Sequence, residues 1–137
     1  LNDQKAIPST RHAAPLNVLV VEDNMLNQMV IKKLLSTDNK FTMVIANNGE
    51  EALKLLTNAS FDLILMDLQM PIMDGYEATK HIRSGICGPK IQSIPIIAVT
   101  ADVMQETKQR VLNIGMNDYM TKPINKELLF KKIERCI

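Results

Sequence analysis

The sequence predicts an α/β fold built on a parallel sheet, and its hydrophobic pattern carries that expectation. Five short apolar runs, at 18–21, 41–46, 63–66, 96–99 and 118–120, recur along the 137 residues. Segments of helical period separate or follow them, at 25–35, 50–56, 75–83, 103–114 and 126–133. The connections are short. Strands alternating with helices over short turns give right-handed βαβ units, hence a parallel sheet with helices on both faces. The length suits one domain with a full core.

Taken in order, residues 1–15 (LNDQKAIPSTRHAAP) lack hydrophobic period and include Pro8 and Pro15. They read as a linker or disordered tail, with His12 in solvent, and 16–137 read as the folded domain. The first run is Val18-Leu19-Val20-Val21. In the helix that follows, Met25, Leu26, Met29, Val30, Ile31, Leu34 and Leu35 cover more of the circumference than packing on one sheet face requires. Asn48-Gly49 opens the second helix after the run at 41–46. Leu63-Ile64-Leu65-Met66 is apolar on both faces, as a central parallel strand must be, and it ends at Asp67 with Pro71 closing the segment. Asp74-Gly75 is a turn into the third helix. Gly115 stops the fourth helix as a left-handed cap, and Asn125 is the N-cap of the fifth. Tyr76 and His81 fall on a helix surface. Five βα units in this space suggest, by analogy, a flavodoxin-like doubly wound sheet of order 2-1-3-4-5.

Composition narrows the function classes. Apolar residues make up 46%, and 16 Lys and Arg against 15 Asp and Glu leave a net charge of +1, which is no footprint for nucleic acid. No apolar stretch is long enough to span a membrane, and no signal segment opens the chain. Cys87 and Cys136 lie far apart without metal-ligand spacing, so neither a disulfide framework nor a zinc site is expected, and a reducing cytoplasm fits.

The residues that end the strands form a chemical inventory. Glu22 and Asp23 follow the first strand, Asp67 the third and Thr100 the fourth; Lys122, with Pro123 after it, follows the fifth. In an open parallel sheet, ligands bind at the carboxyl ends, where strand 1 meets strand 3. Clustered carboxylates repel unless a cation joins them. Oxygen ligands without histidine or cysteine select a hard ion, and Mg²⁺ suits them, with room left for phosphoryl oxygens. Lys122 supplies positive charge and Thr100 a hydroxyl donor for such a group. A carboxylate can itself attack phosphorus and form an aspartyl phosphate. In-line transfer asks the protein mainly for positioning and charge stabilisation.

Four ordered blocks, VLVVEDN (18–24), LILMDLQMPIMDGYEA (63–78), IIAVTA (96–101) and GMNDYMTKPI (115–124), carry a resemblance. Over roughly 16–137 the sequence resembles a response-regulator receiver domain, of the kind found at the C-terminal end of hybrid histidine kinases. The resemblance implies that Asp67 is the phosphoacceptor, and that Asp23, Asp67 and the backbone carbonyl of Gln69 bind Mg²⁺ (or Mn²⁺), with Glu22 acting through water. It makes Thr100 and Lys122 the pair that grips the phosphoryl group, and Tyr119 the aromatic switch that follows Thr100. Ala101 keeps the phosphoryl entry narrow but open, and the Lys122–Pro123 bond is commonly cis. Gln69 and Asp102 flank the route of attacking water.

The implied function is a phosphorelay switch that takes phosphate from a phosphohistidine and does not act as an enzyme in isolation. The implied partner is a histidine kinase or histidine-phosphotransfer domain, for which Met25, Leu26 and Met29 form a candidate docking patch. No nucleic acid or membrane contact is expected of the domain, and the chain's end at Ile137 is read as lacking an output domain. A stand-alone regulator is the runner-up. A Mg²⁺-dependent aspartate phosphatase is a more distant rival, because such enzymes place a second aspartate two residues after the nucleophile, where this chain has Gln69. A flavin-binding module would want a glycine- and hydroxyl-rich loop after strand 1 in place of Glu22-Asp23-Asn24.

Overall fold

The computed structural model describes residues 15–137 as alternating strands and helices. They are β1 (Leu16–Val21), α1 (Met25–Leu35), β2 (Phe41–Ala46), α2 (Gly49–Asn58), β3 (Leu63–Asp67), α3 (Gly75–Arg83), β4 (Ile96–Thr100), α4 (Gln105–Asn113), β5 (Asp118–Thr121) and α5 (Lys126–Cys136). The strands form one parallel sheet in the order β2-β1-β3-β4-β5, as expected. The linker assigned to 1–15, with His12, lies outside the described residues except for its last position.

Alternation along the strands builds a core on each face. Leu19, Val21, Ile64, Met66, Ile96 and Ala98 point to the side that also buries Leu56 of α2, Ile82 of α3 and Val111 of α4. Val18, Val20, Leu63, Leu65, Ile97 and Val99 point to the other, against Ile31 and Leu35 of α1 and Leu129 and Ile133 of α5. Every residue of β3 is buried, in keeping with its unbroken apolar run. Each such Leu or Ile contributes roughly 1.5–3 kcal/mol of transfer free energy.

The helix starts explain their own boundaries. Asn24, Asn48, Asp74 and Asn125 each accept, through a side-chain oxygen, the backbone N–H three residues on, at 3.0, 2.9, 2.8 and 3.0 Å. Such a cap contributes about 1 kcal/mol. Helix α4 begins at Gln105, two residues later than its apolar period suggests. Asp102 accounts for the delay: its Oδ1 accepts from the Met104 N–H at 2.8 Å and its Oδ2 from the Thr107 hydroxyl at 2.7 Å. The carboxylate thereby holds residues 102–104 in a turn before the helix. Strand β1 starts earlier than expected, and α2 and α5 run longer.

Gly115 terminates α4 with φ of 109°. Its N–H donates to the Leu112 carbonyl and that of Met116 to the Val111 carbonyl, the paired bonds of a Schellman cap. Gly75 is more than the turn read from its dipeptide. It is the first residue of α3, and a Cβ there would collide with the Asp67 carbonyl oxygen and crowd the Met66 side chain. Its small size lets α3 start directly against the end of β3. The Lys122–Pro123 peptide is cis, and both cysteines are free. No helix among the described residues is long and apolar enough to cross a membrane.

Candidate functional site at the carboxyl ends of the sheet

Parallel register sets the strand ends level. Val21 pairs with both Ala46 and Met66, Asp67 with Val99, and Thr100 with Thr121. Glu22 still donates its N–H to the Ala46 carbonyl at 3.0 Å, so the acidic pair continues the edge of the sheet. Asp67 and Thr100 are the last residues of their strands, one step further inside than the sequence suggests.

The three acidic side chains converge. Carboxylate oxygens of Glu22, Asp23 and Asp67 lie within 4.8 Å of one another. Glu22 and Asp67 are buried, at 1% and 7% exposure, whereas Asp23 is exposed. Lys122 comes in from the end of β5: its Nζ lies 3.0 Å from Glu22 Oε1 and 3.6 Å from Asp67 Oδ1. The lysine expected to meet a phosphoryl group is thus held nearest to Glu22. That contact is one of charge only, since Glu22 Oε1 has no aligned hydrogen-bond donor. Glu22 Oε2 accepts from the Asn24 N–H at 3.1 Å, and the Gln69 N–H reaches Asp67 Oδ1 at a long 3.4 Å.

Electrostatics follow from that geometry. Burial first, and the Glu22 carboxylate second, push the Asp67 carboxyl up to about 7 against the pull of Lys122. Hydrogen bonds from Thr107 and Met104 hold the Asp102 carboxyl below its usual range. Two buried carboxylates, an exposed third and one lysine leave the pocket short of positive charge. An unsatisfied buried carboxylate oxygen and an oxygen-only donor set fit a hard dication such as Mg²⁺.

The other expected residues are also on this rim. Thr100 is 5% exposed, and its Oγ1 accepts the Asp102 N–H at 3.1 Å, which leaves the hydroxyl proton for a further acceptor. Gln69 and Ala101 are exposed at the mouth. Tyr119 is half-buried on the next strand, its ring flanked by the ammonium groups of Lys108 and Lys132 at 5.2 and 5.4 Å. Tyr76 and His81 stay on α3, where Arg110 stacks 3.8 Å from the Tyr76 ring centroid and His81 lies 3.8 Å from Glu77. Between Asp67 and α3, Ile72 adopts a φ of 71°, a costly value for a β-branched residue. On α1, Met25, Leu26 and Met29 are 73%, 71% and 59% exposed beside this rim, with Val30 at 47%.

Two contributors escaped the sequence reading. Gly75 gives α3 its seat beneath Asp67, although a glycine after an aspartate signals only a turn. Asn24 closes the free side of Glu22 through its backbone, and its side chain, an N-cap, was the only visible cue.

Comparisons with known proteins agree with this geometry. Residues 18–134 match the response regulator receiver domain family. The chain is 47% identical over 128 residues to hybrid signal transduction histidine kinase I of Dictyostelium discoideum; the match covers 90% of this chain and 7% of that kinase. Among solved structures, it is similar to the receiver domain of sensor histidine kinase PA1611 from Pseudomonas aeruginosa PAO1, which holds a magnesium ion in its active-site cleft. That similarity has a TM-score of 0.80 and 35% identity, covering 90% of this chain and 98% of that one. It is also similar to the receiver domain of Saccharomyces cerevisiae Ssk1, crystallised with the histidine phosphotransfer protein Ypd1, with a TM-score of 0.79 and 38% identity, covering 90% and 89%. With its family's blocks in order on a shared fold, the chain belongs to the response regulator receiver domains.

Proposed function

We propose that Asp67 accepts a phosphoryl group from a phosphohistidine, making this domain a relay element of a hybrid histidine kinase. The observation that carries the reading is the placement of Lys122 Nζ 3.6 Å from Asp67 Oδ1 in a pocket that also holds two further carboxylates. Asp67, Asp23 and the Gln69 carbonyl are the proposed ligands of Mg²⁺, with Glu22 acting through water and Mn²⁺ as a substitute. The bound ion would supply charge neutralisation for incoming phosphoryl oxygens.

In the proposed reaction an Asp67 carboxylate oxygen attacks phosphorus in line. The phosphorus–nitrogen bond breaks, the histidine ring leaves with the electron pair, and an acyl phosphate remains on Asp67. Lys122 turns from Glu22 toward the phosphoryl oxygens, and the Thr100 hydroxyl donates to one of them. Drawing Thr100 inward frees space that the Tyr119 ring occupies, which changes the surface of β4 and β5. Ala101 leaves the approach open, while Gln69 and Asp102 stand beside the route of water. Gln69, a non-ionising amide, cannot shuttle a proton, which favours holding the phosphate. The isolated domain then turns over no external substrate. The donor or acceptor is a kinase or a histidine-phosphotransfer domain docked on Met25, Leu26 and Met29, in the cytoplasm, with residues 1–15 as the linker.

Incubation with Mg²⁺ and a small phosphodonor such as acetyl phosphate, followed by mass spectrometry, should place one phosphate on Asp67. Labelling of Asp67→Asn at the parent's rate would overturn the reading. For the docking face, Met29→Lys should slow transfer from a phosphohistidine partner at least several-fold while acetyl phosphate works as before. Equal transfer rates would remove α1 from the interface.

A further inference from the structure

The Glu22–Asp23 peptide, which carries two of the three acidic side chains, is held by a side chain that the proposed chemistry does not use. Gln28, one turn into α1, donates from Nε2 to the Glu22 carbonyl at 2.6 Å and to Asn47 Oδ1 at 2.8 Å. Asn47 is in turn fixed by Glu51 at the start of α2. Glu51 Oε1 accepts from the Asn47 backbone N–H at 3.0 Å and from its Nδ2 at 3.1 Å. Hydrogen-bond logic sets both amides: the Asn47 NH₂ must face the carboxylate, so its oxygen faces Gln28, whose NH₂ then points at two acceptors. The result is a directed chain, from Glu51 through Asn47 and Gln28 to the backbone between Glu22 and Asp23. Each bond polarises the next.

The position of that backbone matters for the site. Strand β1 ends at Val21, so the Glu22 carbonyl lies beyond the paired strand. Its neighbours on either side are the Glu22 carboxylate, packed against Lys122, and the Asp23 carboxylate, exposed at the rim. A rotation of this peptide would shift both residues, and with them the carboxylates whose oxygens lie within 4.8 Å of those of Asp67. Like charges in the pocket favour such a rotation when no cation is bound. We infer that Gln28, braced by Asn47 and Glu51, is a positioning residue for the acidic pocket: it keeps the Glu22–Asp23 peptide oriented for cation binding.

The inference rests on the proposed Mg²⁺ site, and the test separates the two. Mg²⁺ affinity of the full 137-residue chain is measured by calorimetry, alongside the melting temperature in EDTA. Gln28→Met keeps the length and helix preference of the side chain and removes the donor. It should weaken Mg²⁺ binding about tenfold, the lower end of what loss of an outer-layer partner costs a metal site. Its metal-free melting temperature should stay close to the parent's. Asn47→Ala should weaken binding less, and the double variant should match Gln28→Met alone, because both act through one chain of bonds.

Parent-like Mg²⁺ affinity in Gln28→Met overturns the inference, as does a fall in metal-free stability with affinity unchanged. Additive losses in the double variant would break the proposed chain. Asp23→Asn is the control for the site itself. If it too binds Mg²⁺ like the parent, the metal reading of the pocket fails, whatever Gln28 does.

Discussion

Polar groups gather at both ends of this sheet, half-buried or exposed at one and buried at the other, and the two gatherings are finished in opposite ways. At the amino ends, Arg83 donates from Nε to the Gly115 carbonyl at 2.9 Å, from Nη1 to the Gln92 carbonyl at 2.9 Å and from Nη2 to Asn117 Oδ1 at 3.1 Å. Asn117 Oδ1 also accepts the Ile96 N–H at 2.9 Å. That node ties α3, the loop before β4 and the start of β5 into one unit. At the carboxyl ends, Glu22 keeps an oxygen without a hydrogen bond and Asp67 sits beside it with a carboxyl raised to about 7. One cluster is saturated and holds the scaffold. The other is left short of positive charge, which costs stability.

The sharpest way to break this contrast is Asp67→Asn. It should abolish phosphate labelling and flatten the pH dependence of stability. An acid whose folded pKa lies above its unfolded value stabilises the fold below the unfolded pKa, and that contribution is lost as pH rises through the folded one. For Asp67 the window runs from 3.8 to about 7. Across it the metal-free parent should lose on the order of 2 kcal/mol that the variant does not lose, the full shift being discounted for water in the open pocket. Denaturant titrations in EDTA at several pH values measure it.

Arg83→Met tests the saturated end. Removing three charge-assisted bonds, two of them exposed to water, should cost about 2 kcal/mol of unfolding free energy. Mg²⁺ affinity should not change, and a matching loss of affinity would mean that the two ends are coupled. Gly75→Ala probes the boundary, since the added methyl meets the backbone of Asp67. It should cost about 2 kcal/mol by overpacking, and Mg²⁺ binding should weaken with it. The smallest effect is on binding itself. Because the Asp67 proton competes with the ion, Mg²⁺ affinity should fall by about tenfold per pH unit below about 7 and level off above it. A calorimetric series from pH 5.5 to 8.5 would check the slope.

The scaffold was legible because its signals are local and repeated. The unbroken apolar runs of β1, β3 and β4, and the Asn and Asp caps, each declare their element within a few residues. The acidic rim was legible for another reason: a parallel sheet sends all its strand ends to one side, so Glu22, Asp23, Asp67, Thr100 and Lys122 had to meet. What stayed hidden depends on side-chain reach between distant segments. No local pattern announces that Lys122 rests on Glu22, that Gln28 crosses to Asn47, or that Asp102 spends its carboxylate delaying α4. Gly75 was read correctly as the opening of α3, but its steric need stayed hidden because the atoms it avoids belong to another element.

The strand order has a consequence for how the protein folds. Parallel neighbours are joined by whole helices, so each pairing closes a long loop before any contact offsets the lost chain entropy. The acidic pocket draws on β1, β3 and the segment after β5, which lie in the first, middle and last parts of the chain. It is therefore complete only when the last strand has docked. Under the proposed assignment, Mg²⁺ would distinguish the finished molecule from every partly folded one. At ten times its dissociation constant the ion would stabilise the native state by about 1.4 kcal/mol. In refolding experiments, recovery of Mg²⁺ binding would then report final assembly more directly than recovery of helix or sheet content.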